Sequence, residues 1–285
     1  MILFLAALVR PEVFVPSLSA VAQQSPSKDN VRPTNLSQTE IDRIVRSFTA
    51  KETEFRQALN QYSFRREVIV QQVGGAGEVE GEYRRDSQFI FDDKANRIEK
   101  VIFSPISTLA NVIISKNDLE DLGGIQPFAL ETSKINQYNF KFIGKQKIDE
   151  LDLYVFEVAP KVEPDPKKSN ERFFKGSIWV DDKDLQIVKT RGKGVPEVKG
   201  GKNEALYPIF ETYREQVDGK YWFPTYTYSD DTLDFSGGPV HVKEKVEYKN
   251  YEKFSSKVII RDVEEKPDQK PNEKLNEKPK TTPKP

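Results

Sequence analysis

From Tyr62 onward the chain alternates apolar and polar residues with a period of two, in ten stretches: Tyr62 to Val73, Glu78 to Phe91, Asn96 to Phe103, Asn139 to Ile148, Leu151 to Ala159, Arg172 to Val180, Leu185 to Arg191, Pro208 to Gln216, Tyr221 to Tyr228 and Val240 to Tyr251. That period belongs to strands, whose successive side chains point to opposite faces. In the last stretch Val240, Val242, Val246 and Tyr248 share one face, while His241, Lys243, Lys245, Glu247 and Lys249 share the other. One face is dry and one wet. Short turn segments such as Gly74 to Gly77 and Asp92 to Ala95 join neighbouring stretches, so the expected class is α+β, mainly antiparallel β.

A helix precedes the strands. Ser37-Gln38-Thr39-Glu40 reads as a capping box, and Ile41, Ile44, Val45, Phe48, Phe55 and Leu59 follow at helical spacing with Arg43, Arg46, Lys51 and Arg56 on the wet side. A second helical region is expected within Ile106 to Leu130, where Leu109, Val112, Ile113, Leu119 and Leu122 precede Gly123-Gly124. The charged loops Lys161 to Asn170 and Gly192 to Glu204 are expected to be mobile.

The ends differ from the middle. Ile2 to Val9 is apolar and Ala20-Val21-Ala22 offers a small-x-small cleavage pattern, so residues 1–22 read as a signal peptide and the localisation as periplasmic. Arg10-Pro11-Glu12 interrupts the run, and the competing reading is an amphipathic leader retained in the cytoplasm. Residues 23–35 read as a disordered linker, 36–261 as one domain, and 262–285, rich in Lys, Glu and Pro, as a disordered tail.

Composition removes most chemistry. With no cysteine, thiolate catalysis, disulfides and iron–sulfur clusters are out, and with His241 the one histidine no multi-histidine metal site can be assembled. No metal, cofactor or catalytic residue is therefore expected. The 44 basic and 45 acidic residues interleave without a basic stripe, which argues against nucleic acid. Asp92-Asp93, Asp181-Asp182-Lys183-Asp184 and Asp230-Asp231 could supply paired carboxylates to a hydrolase, but each sits at a strand end, where Asp is a turn residue. The glycine clusters at 74–77, 192–194 and 237–238 lead into strands or loops, not into helix N-termini, and read as turns.

Aromatic residues concentrate in the strands, and they fit a filled core as well as an open apolar cavity. One stretch narrows the choice of fold. Phe173-Phe174-Lys175-Gly176-Ser177-Ile178-Trp179-Val180-Asp181 with Leu185 to Lys189, then Phe210 to Tyr213, the Val217-Asp218-Gly219-Lys220 turn and Tyr221-Trp222-Phe223-Pro224, resembles the hairpins of LolA-like lipoprotein-sorting proteins. The resemblance implies a curved, incomplete β-barrel of about ten strands with helices covering its mouth. It also implies an interior for acyl chains. In that family an arginine near the mouth latches the lid; no arginine of this chain is assigned that role.

On this basis the chain is expected to be a monomeric, non-enzymatic carrier of lipid or lipoprotein acyl chains, exchanging them with membrane-associated donor and acceptor proteins. The expected lining is Phe89, Phe91, Val101, Phe103, Phe174, Ile178, Trp222 and Tyr226, each on an aromatic-rich strand. Two other readings stay open: a periplasmic protein-interaction module on the same fold, and a carboxylate-dependent hydrolase.

Overall fold

The computed structural model describes residues 30–254, apart from 93, 113, 115–128, 167, 170 and 201–203. The chain divides into two compact units, Met1–Phe254 and Ser255–Pro285, and every described residue belongs to the first. The expected signal peptide and tail lie outside the described residues.

Helix α1 spans Gln38–Leu59. Ser37 is extended (φ −67°, ψ 153°) and its Oγ accepts from the Glu40 amide at 3.2 Å. Only half of the capping box forms, because the Glu40 carboxylate is taken by Arg43 at 2.7 and 2.9 Å. The ten expected strands are all present: β1 Tyr62–Val73, β2 Val79–Phe91, β3 Arg97–Phe103, β4 Tyr138–Ile148, β5 Leu151–Pro160, β6 Phe173–Asp181, β7 Ile187–Val195, β8 Phe210–Val217, β9 Tyr221–Phe235 and β10 Gly238–Lys253. β7 runs on through Gly192 to Val195, into what reads as loop from composition.

The helical insertion expected within Ile106 to Leu130 is not seen in its described part. Residues 104–112 contain no helix, a 3₁₀ turn follows at Thr132–Gln137, and 115–128 lie outside the described residues. The physical reason is where the backbone donors go: the Thr108 amide bonds the Glu82 carbonyl at 3.0 Å, and the Asn111 amide bonds the Gln72 side chain at 3.1 Å. Donors committed to β1 and β2 cannot build an i to i−4 ladder.

All strands join one antiparallel sheet in the order β3-β2-β1-β10-β9-β8-β7-β6-β5-β4. β3 and β4 are its two edges, so the barrel stays open. Register shifts interrupt the ladder at Ser63/Arg65, Gln72/Val73, Asp86/Ser87, Phe142/Gly144, Trp179/Val180 and Tyr213/Arg214. Such bulges bend a strand and increase its twist, which is how a ten-stranded sheet curls instead of lying flat. The β8–β9 turn carries positive φ at Asp218 (53°) and Gly219 (63°), as the Asp-Gly pair predicts. Gly176 permits a close crossing: a Cβ there would drive into the Arg191 carbonyl oxygen of β7.

Candidate functional site

The concave face is defined by what lies on it. Ile44, Val45 and Phe48 of α1 pack with Phe156, Val158, Phe174, Ile178, Val180 and Ile187 of β5, β6 and β7 in the largest apolar cluster. Phe55, Ala58 and Leu59, two turns further on, pack with Tyr62 and Phe223. Phe48 meets Phe140 and Phe156 edge-on at 5.5 and 5.7 Å between ring centroids. At the far end Arg97 of β3 donates to the Leu59 carbonyl at 2.9 Å. One helix therefore reaches from the β4 side of the sheet to the β3 side, and the sheet wraps around it. Burying Ile44, Phe48, Phe55 and Leu59 contributes roughly 6–12 kcal/mol at about 1.5–3 kcal/mol for each such side chain.

Midway along this apolar stripe sits a charge. Glu52 of α1 accepts both terminal nitrogens of Arg214 on β8, at 2.6 and 3.1 Å, with the two side chains 3% and 2% exposed. The guanidinium also lies 4.7 Å from the Phe55 ring centroid. Such a bidentate pair has definite geometry, and separating it inside an apolar contact is costly unless water enters. Neither residue was singled out from sequence. A signal was available: Glu52 falls four residues after Phe48 and three before Phe55, which places a carboxylate within the helix's apolar stripe.

Toward the β3 edge the interior is polar. Glu99 of β3 accepts from Arg85 at 2.9 and 2.9 Å, from Ser87 at 2.6 Å and from buried Arg66 at 3.2 Å. The Arg85 bonds, with Ser87 and Arg66 adding to them, hold the Glu99 carboxyl below the usual carboxylate range against the opposing effect of burial. Beyond this network Leu109 and Ile114 pack on Val68, Val70, Tyr83 and Val246, and Val112 packs on Leu233, Val240 and Val242. The segment after β3 thus packs on parts of β1, β2, β9 and β10 away from the clusters that α1 joins. A polar cavity of about 200 Å³ opens beside the C-terminal end of α1, lined by Gln57, Gln61, Tyr62, Lys220, Tyr221 and Lys253 among others.

The expected lining residues fall in several places. Phe174 and Ile178 are buried in the cluster with α1. Phe89 is buried against Phe64, their rings stacked at 4.5 Å, with the Arg66 guanidinium 4.8 Å from its centroid. Phe91 packs on Phe254 at the end of the sheet. Val101 and Phe103 are exposed on edge strand β3. Trp222 joins a separate cluster with Leu153, Val155, Trp179 and Val188, which contains no residue of α1, and its Nε1 donates to Asp184 at 2.9 Å. Tyr226 is half-buried beside Tyr228. The structure brings Phe174 and Ile178 together under the helix and leaves Trp222, Val101 and Phe103 apart from them.

The candidate carboxylates are engaged locally. Asp181 accepts the amides of Lys183 and Asp184 at 3.2 and 3.0 Å, and Asp92 accepts those of Lys94 and Asn96 at 2.9 and 2.8 Å, which is turn chemistry. Burial raises the Asp181 carboxyl above its ordinary value. Asp230 bonds His241 at 2.6 Å and Lys243 at 3.4 Å on an exposed face. Among the described residues no group of His, Cys, Asp and Glu is arranged to hold a metal ion, and no helix is long and apolar enough to cross a membrane.

No family model matches the chain. A Caenorhabditis elegans protein named probable phosphoribosylformylglycinamidine synthase is 32% identical over 102 residues, which is 35% of this chain, and the match spans 7% of that protein's length. Among solved structures the chain is similar to a DUF1329 family protein from Desulfovibrio piger (13% identity, 74% of this chain and 94% of that one, TM-score 0.37). It is also similar to a LolA superfamily protein from Nitrosomonas europaea (13%, 72% and 94%, TM-score 0.32) and to the Pseudomonas aeruginosa MucA/MucB complex (10%, 72% and 98%, TM-score 0.21). All of these TM-scores lie below 0.5, and no residue role is carried across from these structures. The observed architecture is ten antiparallel strands in one open sheet, curved about one long helix.

Proposed function

We propose that this chain is an exported carrier that takes the acyl chains of a lipid or lipoprotein between its sheet and α1. The observation that supports this reading is the contact itself: a single amphipathic helix packs on the concave face through apolar side chains, with the Glu52–Arg214 ion pair buried within that contact. An acyl chain of about fourteen methylenes returns roughly 11 kcal/mol on burial, at about 0.8 kcal/mol each, which matches the roughly 6–12 kcal/mol that the four main α1 side chains contribute. Exchange of helix for guest is then close to balanced, as reversible loading requires. The guest would lie over Phe174 and Ile178, and Glu52 and Arg214 would part as α1 lifts. No catalytic group takes part.

The test is native mass spectrometry and lipid extraction of the purified protein, followed by titration with a fluorescent fatty acid. Co-purifying lipid near one per chain, together with saturable uptake of the probe that Ile178→Ala weakens in a protein of unchanged circular dichroism, is the expected result. A lipid-free protein that ignores the probe would overturn the reading. Release of alcohol and fatty acid from a fluorogenic acyl ester, lost on changing Asp181 or Asp230 to Asn, would move the chain into the hydrolase class.

A further inference from the structure

The two edges of the sheet are treated differently. β4 is defended: it carries Lys141, Lys145 and Lys147, bulges between Phe142 and Gly144, and is covered at Lys145 by Arg32, whose backbone exchanges bonds of 2.7 and 2.9 Å with it. β3 has no such cover along Arg97–Phe103 among the described residues. It contains no proline and one lysine, and its exposure runs along both faces: Ile98 44%, Val101 42%, Ile102 53% and Phe103 49%, with Ile106 just beyond at 93%. Among the described residues, large apolar side chains are exposed in few other places, so this is a patch and not scatter. An uncovered apolar edge strand is a template for pairing, which soluble proteins otherwise suppress with charge, bulges or a covering segment.

We propose that the outer edge of β3 is a docking strand for an extended peptide segment of a partner protein, with apolar residues at alternate positions and acidic residues at its flanks. Strand addition satisfies the outward N–H and C=O groups of β3 while the apolar side chains of the guest strand, all on one face, extend over Ile98 and Ile102. The acidic preference comes from the local charge. Lys100 lies on the strand and Arg97 at its start, and with Arg66, Arg84 and Arg85 beside them the cations outnumber Asp86 and Glu99, the carboxylates they pair with. The nearby carboxylates are already engaged: Glu99 by Arg85 and Ser87, and buried Asp86 by Arg84 and Arg65. Other occupants fit less well. A second copy paired about the middle of β3 sets Lys100 against Lys100, or Glu99 against Glu99 one register away, and like charges directly opposite each other destabilise a pair. A lipid surface leaves the outward backbone groups without partners.

The experiment uses the full chain and a fluorescein-labelled nonapeptide, Asp-Val-Thr-Val-Glu-Val-Thr-Val-Asp, with its Lys-for-acid counterpart as control. Anisotropy gives affinity and hydrogen exchange maps the contact. The expected result is saturable binding, slowed exchange in residues 97–103, and affinity weakened roughly tenfold both by Ile102→Lys and by the Lys-for-acid peptide. Since Ile102 is half-exposed, unchanged circular dichroism should accompany that loss. Equal binding of both peptides, or protection elsewhere, would overturn the proposal. So would a concentration-dependent dimer, or flotation with phosphatidylglycerol vesicles, that Ile102→Lys abolishes while the peptide leaves β3 unprotected. The readout is independent of acyl-probe uptake, so this proposal and the carrier reading stand or fall separately.

Discussion

Removing one member of the Glu52–Arg214 pair should be among the most damaging single changes on the concave face. Arg214→Met leaves the Glu52 carboxylate buried between α1 and β8 without its bidentate partner, and loses a guanidinium 4.7 Å from the Phe55 ring. Breaking a pair this buried typically costs about 3–5 kcal/mol. For a domain of this size each kcal/mol moves the melting midpoint by about 2–4 °C, so a fall of roughly 6–20 °C is expected. The double variant Glu52→Leu/Arg214→Met replaces both charges with apolar groups of similar bulk, and it should return to within about 1 kcal/mol of the parent or exceed it. Urea unfolding of the four proteins, with midpoint and slope determined for each, closes the cycle. A cost below about 1 kcal/mol for Arg214→Met, or a double variant no better than the sum of the singles, would refute the reasoning. The carrier reading adds a kinetic consequence: with α1 held less tightly, the single variant should load a fluorescent fatty acid faster than the parent.

Phe48→Ala removes a buried ring that meets both Phe140 and Phe156, and should cost about 3–5 kcal/mol in urea unfolding. Gly176→Ala should destabilise the β6–β7 crossing severely, because its Cβ has no room beside the Arg191 carbonyl; loss of soluble protein or a strongly lowered urea midpoint is the readout. Because the Glu99 carboxyl is held below its unfolded value near 4.3, the unfolded chain takes up that proton first as the solution is acidified. The stability Glu99 contributes is therefore present above about pH 4.3 and lost as pH falls through the lowered folded value. Glu99→Gln should be less stable at pH 7 yet show a flatter dependence of urea midpoint on pH across this acidic window.

Strand positions and the helix were legible in the sequence because they follow from local rules. Period-two alternation marked every strand to within a few residues except where β7 and β9 extend further, Ser37 marked the start of α1, and Asp218-Gly219 marked a turn that requires positive φ. The helical reading of 106–112 failed because the apolar spacing of Leu109 and Val112 fits a helix and equally fits a segment lying across a sheet. Only the neighbouring carbonyl of Glu82 and side chain of Gln72 decide between them.

Facing was the larger gap. Alternation says which residues of one strand share a side, but not which side meets the helix, and every bulge shifts the phase by one residue. So Phe174 and Ile178 came to lie beneath α1 while Trp222 went to a cluster with Trp179, although all belong to equally aromatic strands. Pairing across long separations was likewise invisible: Glu52 finds Arg214, and β1 finds β10, because the sheet curls until they meet. The strands, the turns and the amphipathic helix follow from the order of the amino acids alone, since each depends on residues a few positions apart. What fills the concave face, which charges are buried there, and that β3 and not β4 has no cover among the described residues are settled in three dimensions, since each depends on how ten strands curve together.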